Sequence, residues 1–287
     1  MRAMTTRPRL LALDLDGTIL GAREALSPDI APLLQAIRSQ GVVVVLATGR
    51  RLNNARWWSE RLGIGGAPLV AADGAVVTAA DGRRLVDRPL STIQWHRAWA
   101  LARQAGIEIR FYGATVTAMA RPGEADLHCW SGRIGRRQMG GGLPPEAWNT
   151  WRFPARLGRF QFHAPRLYKG SLIGVHSAYL RPAIAALGMA FTTPADDANE
   201  FIRTGLSKAT GLAALIGDLG LTWDQVWAVG DGANDRDMLA VAGLGVAMGQ
   251  ATAELRHEAS RVVAPQDQGG LLEVLQPLAK APVAEWL

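Results

Sequence analysis

Apolar positions in the outer thirds of this chain alternate between two rhythms. Leu10–Leu13 is a short unbroken apolar run entering a polar turn. Ser27-Pro28 then predicts a helix start, with Ser as N-cap and Pro in the first turn. Ile30, Leu33, Leu34 and Ile37 recur at helical spacing up to Gly41, a natural stop. Val42–Leu46 is five aliphatic residues in a row, four of them β-branched, as in a strand buried on both faces. A helix carrying Leu52, Ala55 and Leu62 follows, then a third run at Leu69–Ala72. The last third repeats this grammar. Ser207 caps a helix running to Leu219, and the strands Val226–Val229, Leu244–Ala247 and Arg261–Ala264 alternate with helices at Asp235–Ala240, Thr252–Ala259 and Gly270–Leu278. Such alternation predicts an α/β fold, a doubly wound parallel sheet with its site at the carboxyl ends of the strands.

The middle breaks the rhythm. Between residues 83 and 195 strands are less continuous, and Gly-, Pro- and Arg-rich stretches such as Gly132–Pro145 appear. Charge changes too. This segment carries fifteen Arg and one Lys against five acids, a formal +11, while the remainder carries −5. We therefore expect a core domain from residues 1–82 and 196–287, interrupted by an inserted α+β domain at 83–195 that meets something anionic. A single cysteine, Cys129, excludes an intramolecular disulfide and any Cys-based zinc cluster. No stretch reaches the ~20 apolar residues of a membrane helix. The arginines before Leu10 superficially suggest a signal peptide, but Asp14 and Asp16 break the apolar run, so a cytoplasmic protein is expected. Trp95 and Trp99 are four apart on a predicted helix and read as core, Cys129 as a small buried hydrophobe, and the five His show no metal-ligand spacing.

Chemistry concentrates where strands end. Asp14-Leu15-Asp16-Gly17-Thr18 follows the first strand, and in an extended turn residues two apart point the same way. Two converging carboxylates repel unless a cation intervenes, and hard oxygen ligands favour Mg²⁺. Thr48-Gly49-Arg50 follows the Val42–Leu46 strand, offering a hydroxyl and backbone N–H groups to an anion. Gly230-Asp231-Gly232-Ala233-Asn234-Asp235 is an acidic loop with an amide after another strand. Alone, each Asp-Gly pair would read as a turn, and Asn234 or Asp235 as a helix cap. Two acid-rich loops at two strand ends of one sheet are not explained that way.

These motifs resemble, in order, those of the haloacid-dehalogenase-like hydrolase superfamily. Asp14–Thr18 resembles the first motif, Thr48-Gly49-Arg50 the second, Ser207-Lys208 the third, and Gly230–Asp235 the fourth. The insert between the second and third is where the Cof-type subfamily carries its α+β cap. Gly245-Val246-Ala247-Met248-Gly249 and Asn199-Glu200-Phe201-Ile202 also resemble that subfamily. The likeness covers roughly residues 8–82 and 196–275. Two positions depart from it. Asp73-Gly74-Ala75 stands where Asn-Gly-Ala is usual, and is read as a hairpin turn unless Asp73 faces the substrate. Gln250 stands where Asn is common.

The resemblance implies a Mg²⁺-dependent phosphatase of small phosphorylated metabolites, sugar phosphates foremost. It implies that Asp14 is the nucleophile forming an aspartyl-phosphate and Asp16 the acid and base. Mg²⁺ would sit between Asp14, the Asp16 carbonyl and Asp231, with Asp235 orienting that shell. Thr48, Gly49, Lys208 and Asn234 would bind the phosphoryl group. A cation at a helix N-terminus opposes the helix dipole, which disfavours a purely structural role for Lys208. An acid at position 16 points to phosphoryl chemistry, since the dehalogenase branch lacks it. The cap would supply the leaving-group pocket, with Arg133, Arg136, Arg137, Arg152, Arg156, Arg159 and Arg166 as candidates. A phosphomutase or phosphotransferase on the same site is the alternative. A nucleic-acid-binding protein using the Arg-rich insert is the remote one, and neither a membrane nor nucleic acid is the expected partner. Monomer and dimer both remain open.

Overall fold

The computed structural model describes residues 7–131, 149–153, 165–174, 177–194 and 199–280. Two compact units emerge, one formed by residues 1–50, 55–87 and 206–287, the other by 51–54 and 88–205. In the first, β1 (Leu10–Leu13) lies between β2 (Val43–Ala47) and β13 (Val226–Gly230), all parallel. Beyond β2 come β3 (Leu69–Ala71), β4 (Val76–Thr78) and β5 (Arg84–Asp87), and beyond β13 come β14 (Leu244–Ala247) and β15 (Arg261–Val262). From β15 to β3 every pairing is parallel, whereas β4 and β5 return antiparallel at one edge. β5 thus closes the first sheet although the change in charge begins just before it.

The apolar runs become strands because both faces of the sheet are covered. All four residues of β1 are fully buried, and alternation gives way to continuous hydrophobicity. One layer is supplied by α5 (Lys208–Asp218), α6 (Arg236–Val241) and α7 (Ala253–Glu258). Their Leu212, Leu215, Met238, Leu239 and Leu255 pack with Leu10, Ala12, Val45 and Ala228. α1 (Ile30–Ser39) and α8 (Leu272–Lys280) pack against each other. Ser207 caps α5 as expected, accepting from the Thr210 N–H. The start of α1 differs: the helix begins at Ile30, and the Ser27 hydroxyl accepts from the Asp29 N–H at 3.4 Å, so Ser27-Pro28 forms a turn ahead of it. α2 (Leu52–Arg61) completes the elements that follow β2.

The second unit is α+β. Its seven-stranded sheet runs β11 (Met189–Phe191), β12 (Glu200–Arg203), β10 (Leu167–Ile173), β6 (Glu108–Gly113), β7 (Val116–Ala120), β8 (Leu127–Ser131), β9 (Asn149–Phe153), antiparallel throughout. α3 (Thr92–Gln104) contributes Trp95 and Trp99 to a core with Ile109, Phe111, Leu172 and Phe201. Cys129 is buried in the same core. α4 (Arg181–Ala185) lies beside β11. Among the described residues no helix is long and apolar enough to cross a membrane.

Candidate active site

The parallel topology brings the ends of β1, β2, β3 and β13 side by side, so that segments far apart in sequence share one end of the sheet. Lys208, the first residue of α5, is 0% exposed. Its Nζ donates to Asp14 Oδ1 at 2.6 Å and to Asp235 Oδ1 at 2.7 Å. Burial alone would lower the pKa of that ammonium. Asp14 and Asp235, with Asp73 adding, more than reverse this, and Lys208 is held protonated.

Asp14, Asp231 and Asp235 each offer a carboxylate oxygen, and these lie within 4.8 Å of one another. Burial, reinforced by the carboxylates of Asp235 and Asp231, raises the Asp14 pKa well above its ordinary value against the pull of Lys208. Burial likewise pushes Asp231 up to about 6, with Asp235 and Asp16 adding to the repulsion. This is an oxygen cluster short of positive charge, which fits a hard divalent cation. The two oxygens of Asp235 are already engaged: Oδ1 accepts from Lys208, and Oδ2 accepts from the backbone N–H groups of Asp231 at 3.0 Å and Gly232 at 2.9 Å. Asp235 therefore shapes the loop, leaving Asp14 and Asp231 better suited to ligate. Gly17 has a φ of +79°, and a Cβ there would run into the Asp231 carboxylate. The close approach of the two acidic loops requires that glycine.

Asp16 is far more accessible than the buried cluster, its side chain 56% exposed. Arg50 grips both of its carboxylate oxygens, Nε to Oδ2 at 2.7 Å and Nη2 to Oδ1, and also donates to Glu24 at 2.9 Å. Thr48 is buried, and its hydroxyl accepts from the Arg50 N–H at 3.1 Å. Gly49 follows it at the end of β2. Asn234 donates from Nδ2 to Asp73 Oδ1 at 2.8 Å. Gln250 bridges the two acidic loops. Its Nε2 donates to the Gly17 carbonyl at 2.6 Å and to Asp231 Oδ2 at 3.1 Å, and its Oε1 accepts from the Gln266 N–H at 3.0 Å. The grip of Arg50 and the bridge of Gln250 were not anticipated, although both stood inside or beside the quoted motifs. Pattern marks such positions but cannot say what they touch.

The cap arginines fare differently. Arg133, Arg136, Arg137, Arg156 and Arg159 lie outside the described residues, as does the side chain of Arg152. Arg166 is exposed just ahead of β10. Other cap cations are paired within the cap: Lys169 with Glu200 at 2.5 Å and Arg110 with Glu108 at 2.6 Å.

A doubly wound sheet, a lysine between two buried aspartates and an acidic oxygen cluster at the strand ends define a phosphoryl-transfer type of α/β hydrolase. The sequence profile described as haloacid dehalogenase-like hydrolase matches residues 11–131 and 178–275. The chain belongs to that family, in the Cof-type arrangement, and is an enzyme of its phosphatase branch. It is 23% identical over 268 residues to the 5-amino-6-(5-phospho-D-ribitylamino)uracil phosphatase YcsE of Bacillus subtilis, covering 93% of this chain and 94% of that protein. It is 29% identical over 259 residues to the HMP-PP phosphatase of Cronobacter sakazakii, covering 87% of each. Its fold matches the structure of the subclass IIB sugar phosphatase BT4131, with a TM-score of 0.73, 17% identity, and coverage of 93% and 98%.

Proposed function

We propose that this enzyme is a Mg²⁺-dependent phosphomonoesterase of small phosphorylated metabolites, sugar phosphates foremost, working through an aspartyl-phosphate on Asp14. The observation that carries the reading is the buried Asp14–Lys208–Asp235 chain beside the Asp231 carboxylate. Asp14 Oδ attacks phosphorus as the ester P–O bond breaks, and Asp16, once released from Arg50 and protonated, gives its proton to the leaving oxygen. Water then attacks the aspartyl-phosphate, Asp16 takes its proton, and the Asp14–phosphorus bond breaks. Lys208 offsets charge on Asp14 and on the phosphoryl group, while the Thr48 hydroxyl, the Gly49 N–H and Asn234 bind phosphoryl oxygens. Asp14, the Asp16 carbonyl and Asp231 would hold Mg²⁺, which when bound neutralises the negative charge gathered there. The relatives named above act on small phosphorylated compounds, which supports this substrate class.

The test is phosphate release from p-nitrophenyl phosphate and a panel of sugar phosphates, with Mg²⁺ and with EDTA, beside Asp14→Asn. Release that requires Mg²⁺ and vanishes in a folded Asp14→Asn variant is expected. Undiminished turnover in that variant would remove Asp14 as nucleophile.

A further inference from the structure

Asp73 is the acid that departs from the Asn-Gly-Ala pattern; it sits in the turn of the β3–β4 hairpin, as the sequence suggested, but it does not face solvent. It is 1% exposed, in a single 3₁₀ turn between β3 and β4, with a left-handed φ of +52° and ψ of 40°. Ala72 before it also has a positive φ, +49°. Two consecutive non-glycine residues in that region are strained and persist only where the surroundings over-determine them. Here the surroundings are the site itself. The Ala72 N–H donates to the Arg50 carbonyl at 2.8 Å and the Asp73 N–H to the Thr48 carbonyl at 3.1 Å. A Cβ on Gly74 would strike the Ser207 carbonyl, so the turn also sits hard against the start of α5. The Asp73 carboxylate accepts from Asn234 Nδ2. One turn therefore touches the segments carrying Thr48, Lys208 and Asn234.

The chemistry of the acceptor matters. A carboxylate has no N–H to give, so the Asn234 amide can meet Asp73 only with its NH₂ end. An asparagine at position 73 would accept either end of the Asn234 amide, because it carries both a donor and an acceptor. The Asp–Asn contact is also charge-assisted, hence the stronger one. We propose that Asp73 is a positioning residue that holds the Asn234 amide in one orientation, with one N–H of its NH₂ given to Asp73 and the other left as the donor that Asn234 presents to the phosphoryl group. This rests on the phosphatase reading for its consequence in turnover, but not for the amide orientation itself.

The experiment uses the full chain with Asp73→Asn, which suits the left-handed backbone, Asp73→Gly, which relieves it, Asn234→Ala, and the double variant Asp73→Asn/Asn234→Ala. The first readout is independent of catalysis: the side-chain NH₂ resonances of Asn234 in ¹⁵N-labelled protein, assigned by their loss in Asn234→Ala. They are expected to shift and to exchange faster in both Asp73 variants. Unchanged resonances would overturn the proposal whether or not the protein hydrolyses anything. The second readout is kcat and KM for p-nitrophenyl phosphate and the inhibition constant of inorganic phosphate. Asp73→Asn and Asn234→Ala are each expected to lower kcat/KM about tenfold and to weaken phosphate binding, with the double variant no worse than Asn234→Ala alone. Losses that multiply in the double variant, or full kcat/KM in Asp73→Asn with wild-type phosphate binding, would overturn it. Should Asp73→Asn fold poorly, Asp73→Gly carries the same comparison. A wild-type enzyme that releases no phosphate would sink the phosphatase reading instead, and the resonances of Asn234 would still decide the role of Asp73.

Discussion

Lys208 shows how much one side chain can be asked to do. It carries its charge with no exposure to water and stands between two buried carboxylates. Removing one partner of a buried ion cluster leaves the others uncompensated, a loss of about 3–5 kcal/mol. Lys208→Met is therefore expected to lower the denaturant midpoint by that equivalent and to cut turnover at least about a hundredfold. A variant of wild-type stability would mean that Asp14 and Asp235 find other countercharge. Cys129 makes the opposite case, a nucleophile silenced by burial. Its thiol is pushed up to about 12 from an ordinary value of 9.0 by loss of solvation. Below pH 9 both folded and unfolded thiols keep their proton, and the group contributes no pH dependence. Above it the unfolded chain releases a proton that the folded one retains, so stability falls as pH rises through that window. At pH 8 we expect the folded protein to react with a thiol-selective disulfide reagent far more slowly than the denatured chain. Equal rates would contradict the burial.

At the scale of elements, the sheet delivers its chemistry by packing backbones closely. Gly211 on α5 is the contact point. A Cβ there would lie 2.7 Å from Val70 Cγ1 and 2.9 Å from Gly74 Cα, pressing the helix off β3 and off the turn that holds Asp73. Gly211→Ala gains helix propensity of about 1 kcal/mol, but overpacking costs about 1–3 kcal/mol. We expect a net loss of stability in thermal melts together with weaker phosphate inhibition, since the turn carries the acceptor for Asn234. A more stable variant with unaltered kinetics would show that the helix can retreat without cost to the site. The elements themselves were largely legible in the sequence, because strands buried on both faces read as unbroken apolar runs, as at β1 and β2. The start of α1 was not. Ser27-Pro28 is a sound cap by composition, yet the helix begins only at Ile30, and the Ser27 hydroxyl meets the Asp29 N–H within a turn ahead of it.

For the whole molecule, the balance of charge governs the response to metal. The core gathers acids at one end of its sheet, and the Asp14 and Asp231 carboxylates are both held above their ordinary pKa by burial and mutual repulsion. A cation that binds only the folded form stabilises it by about 2.7 kcal/mol at a hundredfold excess over its dissociation constant. Saturating Mg²⁺ is expected to raise the melting temperature by several degrees, reversibly with EDTA, and Asp231→Asn to shrink that shift. A melting curve indifferent to Mg²⁺ in the wild type would count against the cluster as a metal site. By itself the sequence determined the α/β alternation, the basic charge of the middle segment and the positions of the acidic loops, because each of these is written in local periodicity, local composition or short spacing. Only the tertiary structure decided that Arg50 grips Asp16, that Gln250 spans two loops and that Asp73 meets Asn234. Those partners stand 34, 19 and 161 residues apart. Parallel crossovers bring them together at the strand ends, and no periodicity along the chain records such a meeting.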